Sequence, residues 1–173
     1  MAVPVLETER LILRPLTKDD LPAVYVWASD PRVNKYMIYP LYKSMDDGKV
    51  WFDSLYEDDN KKDFGFVYKE TGELIGSGGI YFHPDKDVWS IGYNIRYEFW
   101  NKGLVTEAMK KITSWAIENF DVKVIAGTFA VGNTGSQRVM EKLGLTFYED
   151  TEYSKLDNSE TFKAKTYTKV IKR

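Results

Sequence analysis

The stretch Glu98–Lys111, EFWNKGLVTEAMKK, sets an Asn-Lys-Gly turn between a strand-like run and a strongly helical one. Gly103 has two possible purposes there. It either stops one element and starts the next, or lets backbone amides approach an anion at the mouth of the helix. The first amides of a helix lack intrahelical partners, and the helix dipole adds roughly half a positive charge, which suits phosphate. The stretch lacks the Gly-Lys-Ser/Thr ending of a P-loop and the glycine spacing of a dinucleotide fold. An anion here needs another architecture.

Upstream of the turn, DFGFVYKE, LIGSGGIYF and VWSIGYNI (Val88–Ile95) are strand-like runs joined by TGE and HPDKD. Short Gly- and Pro-containing turns between such runs read as an antiparallel meander. Downstream, Leu104, Ala108, Met109, Ile112, Trp115, Ala116 and Phe120 share one broad helical face. VKVIAGTFAV follows as a buried strand. NTGSQRVMEKLG is then a helix with Asn133 as N-cap and Gly144 as its stop. LTFYEDTEYSKL and TFKAKTYTKVIK close the chain as two strands around DNSE.

At the other end, RLILRPL (Arg10–Leu16) is a first strand. Thr17 with Asp20, and Ser44 with Asp47, start two helices that flank the aromatic segment Tyr36–Tyr42, YMIYPLY. The expected order is strand, two helices, three strands, helix, strand, helix, two strands. That is an α/β chain of the α+β kind, with a largely antiparallel sheet of about seven strands and one domain over residues 1–173.

A chain of 173 residues buries roughly 70% of its unfolded surface, so neither metal nor disulfide is needed to hold it. Net charge is −2 with both signs interspersed, which argues against a nucleic-acid footprint. The absence of cysteine excludes thiol nucleophiles and thiolate metal sites. The N-terminal run MAVPVLETERL lacks the basic start and apolar core of a signal peptide, and no apolar run approaches the ~20 residues of a membrane span. A cytoplasmic protein is the expectation. The VIKR ending suggests an exposed sheet edge and hence a possible homodimer.

GYNIRYEFWNKGLVTEAM followed by GNTGSQRVMEKLGL resembles the acetyl-CoA-binding core of the GNAT superfamily, specifically its RimJ/RimL-like branch. The opening ETERLILRPLTKDDLPAVYVWASDPRVNKYM is similar to the same branch, so the resemblance covers nearly the whole chain. It implies a sheet splayed in its middle and acetyl-CoA as acyl donor. In the family a loop of pattern Gln/Arg-x-x-Gly-x-Gly/Ala holds the coenzyme diphosphate on its amides. The matching positions are Trp100, Asn101, Lys102, Gly103, Leu104 and Val105, with Thr106 next. Trp100 and Val105 depart from the pattern. The resemblance also implies that Tyr93, Asn94 and Ile95 offer main-chain groups to the pantetheine arm by strand addition. Asn133 matches the asparagine that steadies the coenzyme, and a plain helix cap is an equal reading of it.

Many relatives carry a glutamate base where this chain has Ser90 and a tyrosine acid where it has Met140. Both usual groups are missing. In the RimL-like branch a serine three residues after the asparagine assists the departing thiolate, and Ser136 matches it; a serine in a first helical turn also commonly serves backbone groups. Tyr148 is read as core, Glu98 as surface charge, and His83, in a Pro-Asp turn, as non-catalytic.

A missing base constrains the acceptor. Deprotonating a lysine amine at pH 7 costs about 4.6 kcal/mol, an α-amine only about 1. The α-amine of a peptide or protein, or another low-pKa amine, is therefore favoured. The acceptor is expected between the N-terminal helices and the last hairpin, against Trp27, Tyr36, Tyr39, Tyr42 and Trp51. The leading expectation is an acetyl-CoA-dependent N-acetyltransferase acting by direct attack in a ternary complex. The alternative is a non-catalytic acyl-CoA sensor or complex partner on the same fold.

Overall fold

The computed structural model describes residues 3–172; Arg173, the last residue of the VIKR ending, lies outside them. Eight strands form one sheet in the order β1-β2-β3-β4-β5-β6-β8-β7. They are β1 (Leu6–Glu7), β2 (Leu11–Arg14), β3 (Lys61–Tyr68), β4 (Glu73–His83), β5 (Val88–Ile95), β6 (Val124–Ala130), β7 (Thr146–Ser154) and β8 (Thr161–Val170). The helices are α1 (Leu21–Ala28), α2 (Pro31–Asn34), α3 (Asp46–Glu57), α4 (Leu104–Asn119) and α5 (Thr134–Lys142).

The expected seven strands become eight because Leu6 and Glu7 pair with Leu13 and Ile12, a contact too short to carry a periodic signal. The short α2 is also additional. Pro31 opens it, and the Asp30 carboxylate accepts a hydrogen bond from the Arg32 amide. At the end of β8, where an edge is expected, Val170 pairs with Val124 of β6, while pairing with β7 reaches only Thr168. β8 pairs with β6 along Val124–Ala130 and with β7 on its other side, so the edges are β1 and β7.

Two cores cover the two faces of the sheet. On one, α4 lays Leu104, Ala108, Met109, Ile112 and Ala116 against Phe64, Phe66, Ile80, Ile91 and Ile95. On the other, Val24, Trp27 and Ala28 of α1 and Phe52 of α3 pack with Leu16 and Leu74. Because side chains alternate along a strand, the second face of β3, β4 and β5 carries Asp63, Ser77, Tyr81, Ser90 and Asn94.

The sheet is splayed. β5 and β6 run parallel and pair only at Trp89↔Ile125 and Ser90↔Ala126. Beyond Ser90, β5 stays with β4 through Gly76↔Ile95, while β6 stays with β8. A gap therefore opens beside Ile91–Ile95 and leaves one edge of β5 without a strand partner.

Candidate active site

The turn at the mouth of α4 is built from two left-handed residues, Asn101 at φ 61° and Gly103 at φ 74°. The first backbone bond of α4 runs from the Glu107 amide to the Gly103 carbonyl, 3.0 Å, so the amides of Leu104, Val105 and Thr106 precede the helical ladder. The turn is braced from behind. Arg10 donates to the Lys102 carbonyl at 3.0 Å, and Glu107 holds Arg10 through both its backbone amide and Nε, each at 2.9 Å. The Trp100 indole donates to the Ile95 carbonyl at 3.0 Å and ties the loop to the end of β5. Trp100 thus packs and anchors at the position where the resemblance implies Gln or Arg. The Lys102 ammonium lies over the Phe99 ring, and its side chain does not line the cleft.

The loop opens into a cleft of about 740 Å³ that continues into the β5–β6 gap. Tyr93, Asn94, Ile95, Trp100, Asn101, Gly103, Leu104, Val105, Thr106 and Asn133 all line it, so most of the proposed coenzyme contacts are brought to one place. Val105 is among them and leaves the cleft open. Four cations also line it: Arg32 and Lys35 around α2, and Arg138 and Lys142 on α5. Among the described lining residues there is no carboxylate. A wall of positive side chains and helix-mouth amides, in a chain of net charge −2, fits a polyanion carrying diphosphate. Sequence reasoning missed all four cations, since nothing local marks residues from two separate segments as neighbours.

The Ser136 hydroxyl lies 2.7 Å from the Tyr93 hydroxyl, which also donates to the Ser136 carbonyl at 3.2 Å. Burial pushes the Tyr93 phenol up to about 12, so it is a neutral donor across the working range. Asn133 caps α5, its side-chain oxygen accepting from the Ser136 amide at 3.3 Å.

Of the expected acceptor residues, Tyr36 lines the cleft. Trp27 does not. It is 1% exposed in the second core because α1 turns Val24, Trp27 and Ala28 inward together. Tyr39 donates to Asn94 Oδ1 at 2.8 Å and meets Tyr42 edge-on, and Asn94 donates on to Ser77 Oγ at 2.9 Å. Burial raises the pKa of both tyrosines, Tyr42 to about 12. They hold the segment onto the sheet and stand outside the cleft lining; Trp51 packs in the second core against Phe52.

The same segment is clamped to the last hairpin. Lys155, buried, donates to the carbonyls of Asn34 (2.9 Å) and Met37 (2.7 Å) and to Asn34 Oδ1 (3.1 Å), and Tyr153 donates to the Tyr36 carbonyl at 2.6 Å.

Neither missing proton-transfer position is filled by its own residue. Ser90 Oγ is 2.8 Å from His83 Nε2. Met140 is 1% exposed and fills the space under Gly127, where a Cβ would sit 2.7 Å from its sulfur. Glu98 pairs with Arg96 at 3.3 Å, as surface charge does. Tyr148, expected in the core, is 64% exposed because β7 is an edge strand. Among the described residues no helix is long and apolar enough to cross a membrane.

Comparison with known proteins agrees with this geometry. The acetyltransferase (GNAT) domain family matches residues 10–146. The uncharacterized N-acetyltransferase YoaA of Bacillus subtilis is 30% identical over 145 residues, covering 82% of each chain. A GNAT-family acetyltransferase structure from Bacillus anthracis superposes with TM-score 0.83 at 23% identity, over 96% of this chain and 98% of that one. The ribosomal L7/L12 α-N-protein acetyltransferase RimL, solved with coenzyme A, gives TM-score 0.83 at 16% identity over 97% and 98%. At those identities the structural likeness speaks for the fold. The family match over most of the chain speaks for more: this chain belongs to the GNAT family of N-acetyltransferases.

Proposed function

We propose that the chain transfers acetyl from acetyl-CoA to an amine of low pKa, with the α-amine of a peptide or protein favoured. One observation carries this reading: an edge of β5 with no strand partner ends on the amides at the mouth of α4, inside a cleft lined by four cations and no carboxylate among the described residues. The coenzyme diphosphate would sit on the amides from Asn101 to Thr106. The pantetheine amides would pair with the backbone of Tyr93–Ile95, as an added strand.

That placement puts the thioester near Tyr93 and Ser136. The amine attacks the thioester carbonyl directly, forming C–N as the C–S pair leaves with sulfur. Ser136, held by Tyr93, donates a hydrogen bond to the departing sulfur. No covalent acyl-cysteine is open to a chain without cysteine. The preference for a low-pKa amine rests on Ser90 and Met140 standing where relatives carry base and acid. Placement in the RimJ/RimL-like branch rests on the two motif stretches and is supported by the shared fold of RimL.

Two hexapeptides test it, one with a free α-amine and no lysine, the other blocked at the α-amine and carrying one lysine. Coenzyme A release is expected with the first. Preference for the blocked lysine peptide would contradict the acceptor class, and binding of acetyl-CoA without turnover across a wider amine panel would favour a non-catalytic sensor.

A further inference from the structure

On the sheet face opposite α4, a second polar pair lies beside the end of the open β5 edge. Tyr81 of β4 donates to Asp63 Oδ1 of β3 at 2.6 Å. The pair rests on a floor of two glycines. Gly79 stands opposite both Asp63 and Gly92 in the strand registers. A Cβ at Gly79 would run into the Lys62 carbonyl and meet Asp63 Oδ1 and the Tyr81 oxygen, each at 3.0 Å. A Cβ at Gly92 would sit 3.3 Å from the Tyr81 ring. The phenol therefore lies flat across Gly79, with Asp63 on one side and Gly92 on the other. Gly92 immediately precedes Tyr93, where the arm of the donor is proposed to end. Both residues are half-buried.

We propose that Tyr81 receives the proton of the attacking amine and passes its own to Asp63. As C–N forms, the nitrogen lone pair enters the new bond and its N–H becomes acidic. That proton goes to Tyr81 Oη while the Tyr81 proton moves to Asp63 Oδ1. Tyr81 stays neutral, Asp63 becomes a carboxylic acid, and the C–S pair leaves with sulfur. Asp63 returns its proton to solvent after release. The amine thus enters from the face bearing Asp63 and Tyr81, and sulfur departs on the side of Ser136 and Tyr93.

The surroundings favour a proton acceptor. Burial raises the Asp63 carboxyl above its ordinary range, against the Tyr81 hydrogen bond and the nearby Lys61, which lower it. Burial and Asp63 hold the Tyr81 phenol well above its ordinary value, so it is a neutral hydroxyl that donates to Asp63. Lys61 apart, the charged groups nearby are turned away, paired or exposed. Lys62 points to the opposite face and bonds the Asp59 carbonyl, and His83 bonds Ser90 farther along the same face. On α3, packed over β3, Asp46 pairs with Lys49 and Asp53 with Lys18, Asp47 accepts from the Lys43 amide, and Glu57 is exposed. Asp63 thus supplies what Ser90 cannot.

This inference rests on the acyl-transfer reading, and the test separates the two. Asp63→Asn keeps an acceptor for the Tyr81 hydroxyl but cannot take its proton. Coenzyme A release with the free-amine hexapeptide is followed from about pH 6.5 to about pH 9.5, beside calorimetric binding of acetyl-CoA. Asp63→Asn is expected to lose on the order of a hundredfold in rate at the acid end. The deficit should narrow to about threefold at the alkaline end, where hydroxide takes over. Acetyl-CoA affinity should not change. Tyr81→Phe should show the same pH-dependent deficit, with no further loss in the double variant. A loss equal at every pH, or full activity in either variant, overturns the relay and leaves acyl transfer standing. Failure of the wild type to bind acetyl-CoA or to turn over any amine brings down acyl transfer and the relay with it.

Discussion

The Tyr93 hydroxyl stands 2.7 Å from Ser136 Oγ and so joins β5 to α5 across the gap where β5 and β6 have parted. Ser136 itself is not among the residues lining the cleft, and the bond ties its hydroxyl to Tyr93, which is. If this pair serves the departing sulfur, Ser136→Ala should lower kcat by about tenfold or more with little change in coenzyme affinity. Tyr93→Phe should cost a similar factor, and the double variant no more than the worse single one, as expected of groups that act together. Additive losses would separate the two roles. Steady-state kinetics of the three variants decide it.

Gly103 is left-handed at φ 74°, and its nearest neighbour for an added Cβ is Arg10 Nη2 at 3.7 Å, an ordinary contact. Space is not the constraint; conformation is. Gly103→Val forces a β-branched residue into a region that costs about 1–2 kcal/mol for L-residues. A loss of several degrees in melting temperature is expected, with about a tenfold loss of coenzyme A affinity as the turn shifts. Unchanged affinity in a folded variant would mean the amides of this turn do not hold the ligand.

Lys155 is buried and gives its three hydrogen bonds to Asn34 and Met37. Lys155→Met leaves those oxygens without their donor, at a cost of about 3 kcal/mol. It also frees the segment that puts Tyr36 and Met37 on the cleft wall. A raised KM for the peptide acceptor with unchanged coenzyme affinity is expected, read from denaturant unfolding, kinetics and calorimetry on one preparation.

Asp63 carries a pH signature in stability. Its native pKa lies above the ordinary 3.8 because burial disfavours the charged form. Between those two values the folded chain binds more protons than the unfolded one, so stability falls as pH rises through that window. Asp63→Asn lacks this term. Relative to wild type the variant should gain stability on going from acid to neutral pH, measured by urea unfolding on both sides of the window. A parallel pair of curves would show that the carboxyl titrates normally.

The features legible in the sequence were local. The turn at Gly103, the inner face of α4, the bounds of β5 and the Asn133 cap each sit within a dozen residues, where φ preference and side-chain period act directly. The split between β5 and β6 was expected from the family resemblance, since no residue of VWSIGYNI or VIAGTFAV announces it. What escaped reading depends on register. Asp63 meets Tyr81 only because Lys61 pairs with Tyr81 and the phenol then leans along the strand over Gly79. Arg32 and Arg138 share a cleft across more than a hundred residues of chain. Trp27 follows the same rule: its helical spacing fits core as well as cleft, and only packing selects core.

The most direct test of the site is a calorimetric titration of the wild-type chain with dephospho-coenzyme A and, separately, with pantetheine, which lacks the diphosphate and the adenosine it carries. Two charge-assisted hydrogen bonds to the turn are worth about 3 kcal/mol together, so dephospho-coenzyme A should bind about a hundredfold more tightly. Equal affinity for the two, or no binding of either, would contradict the assignment of Asn101–Thr106 as a diphosphate cradle.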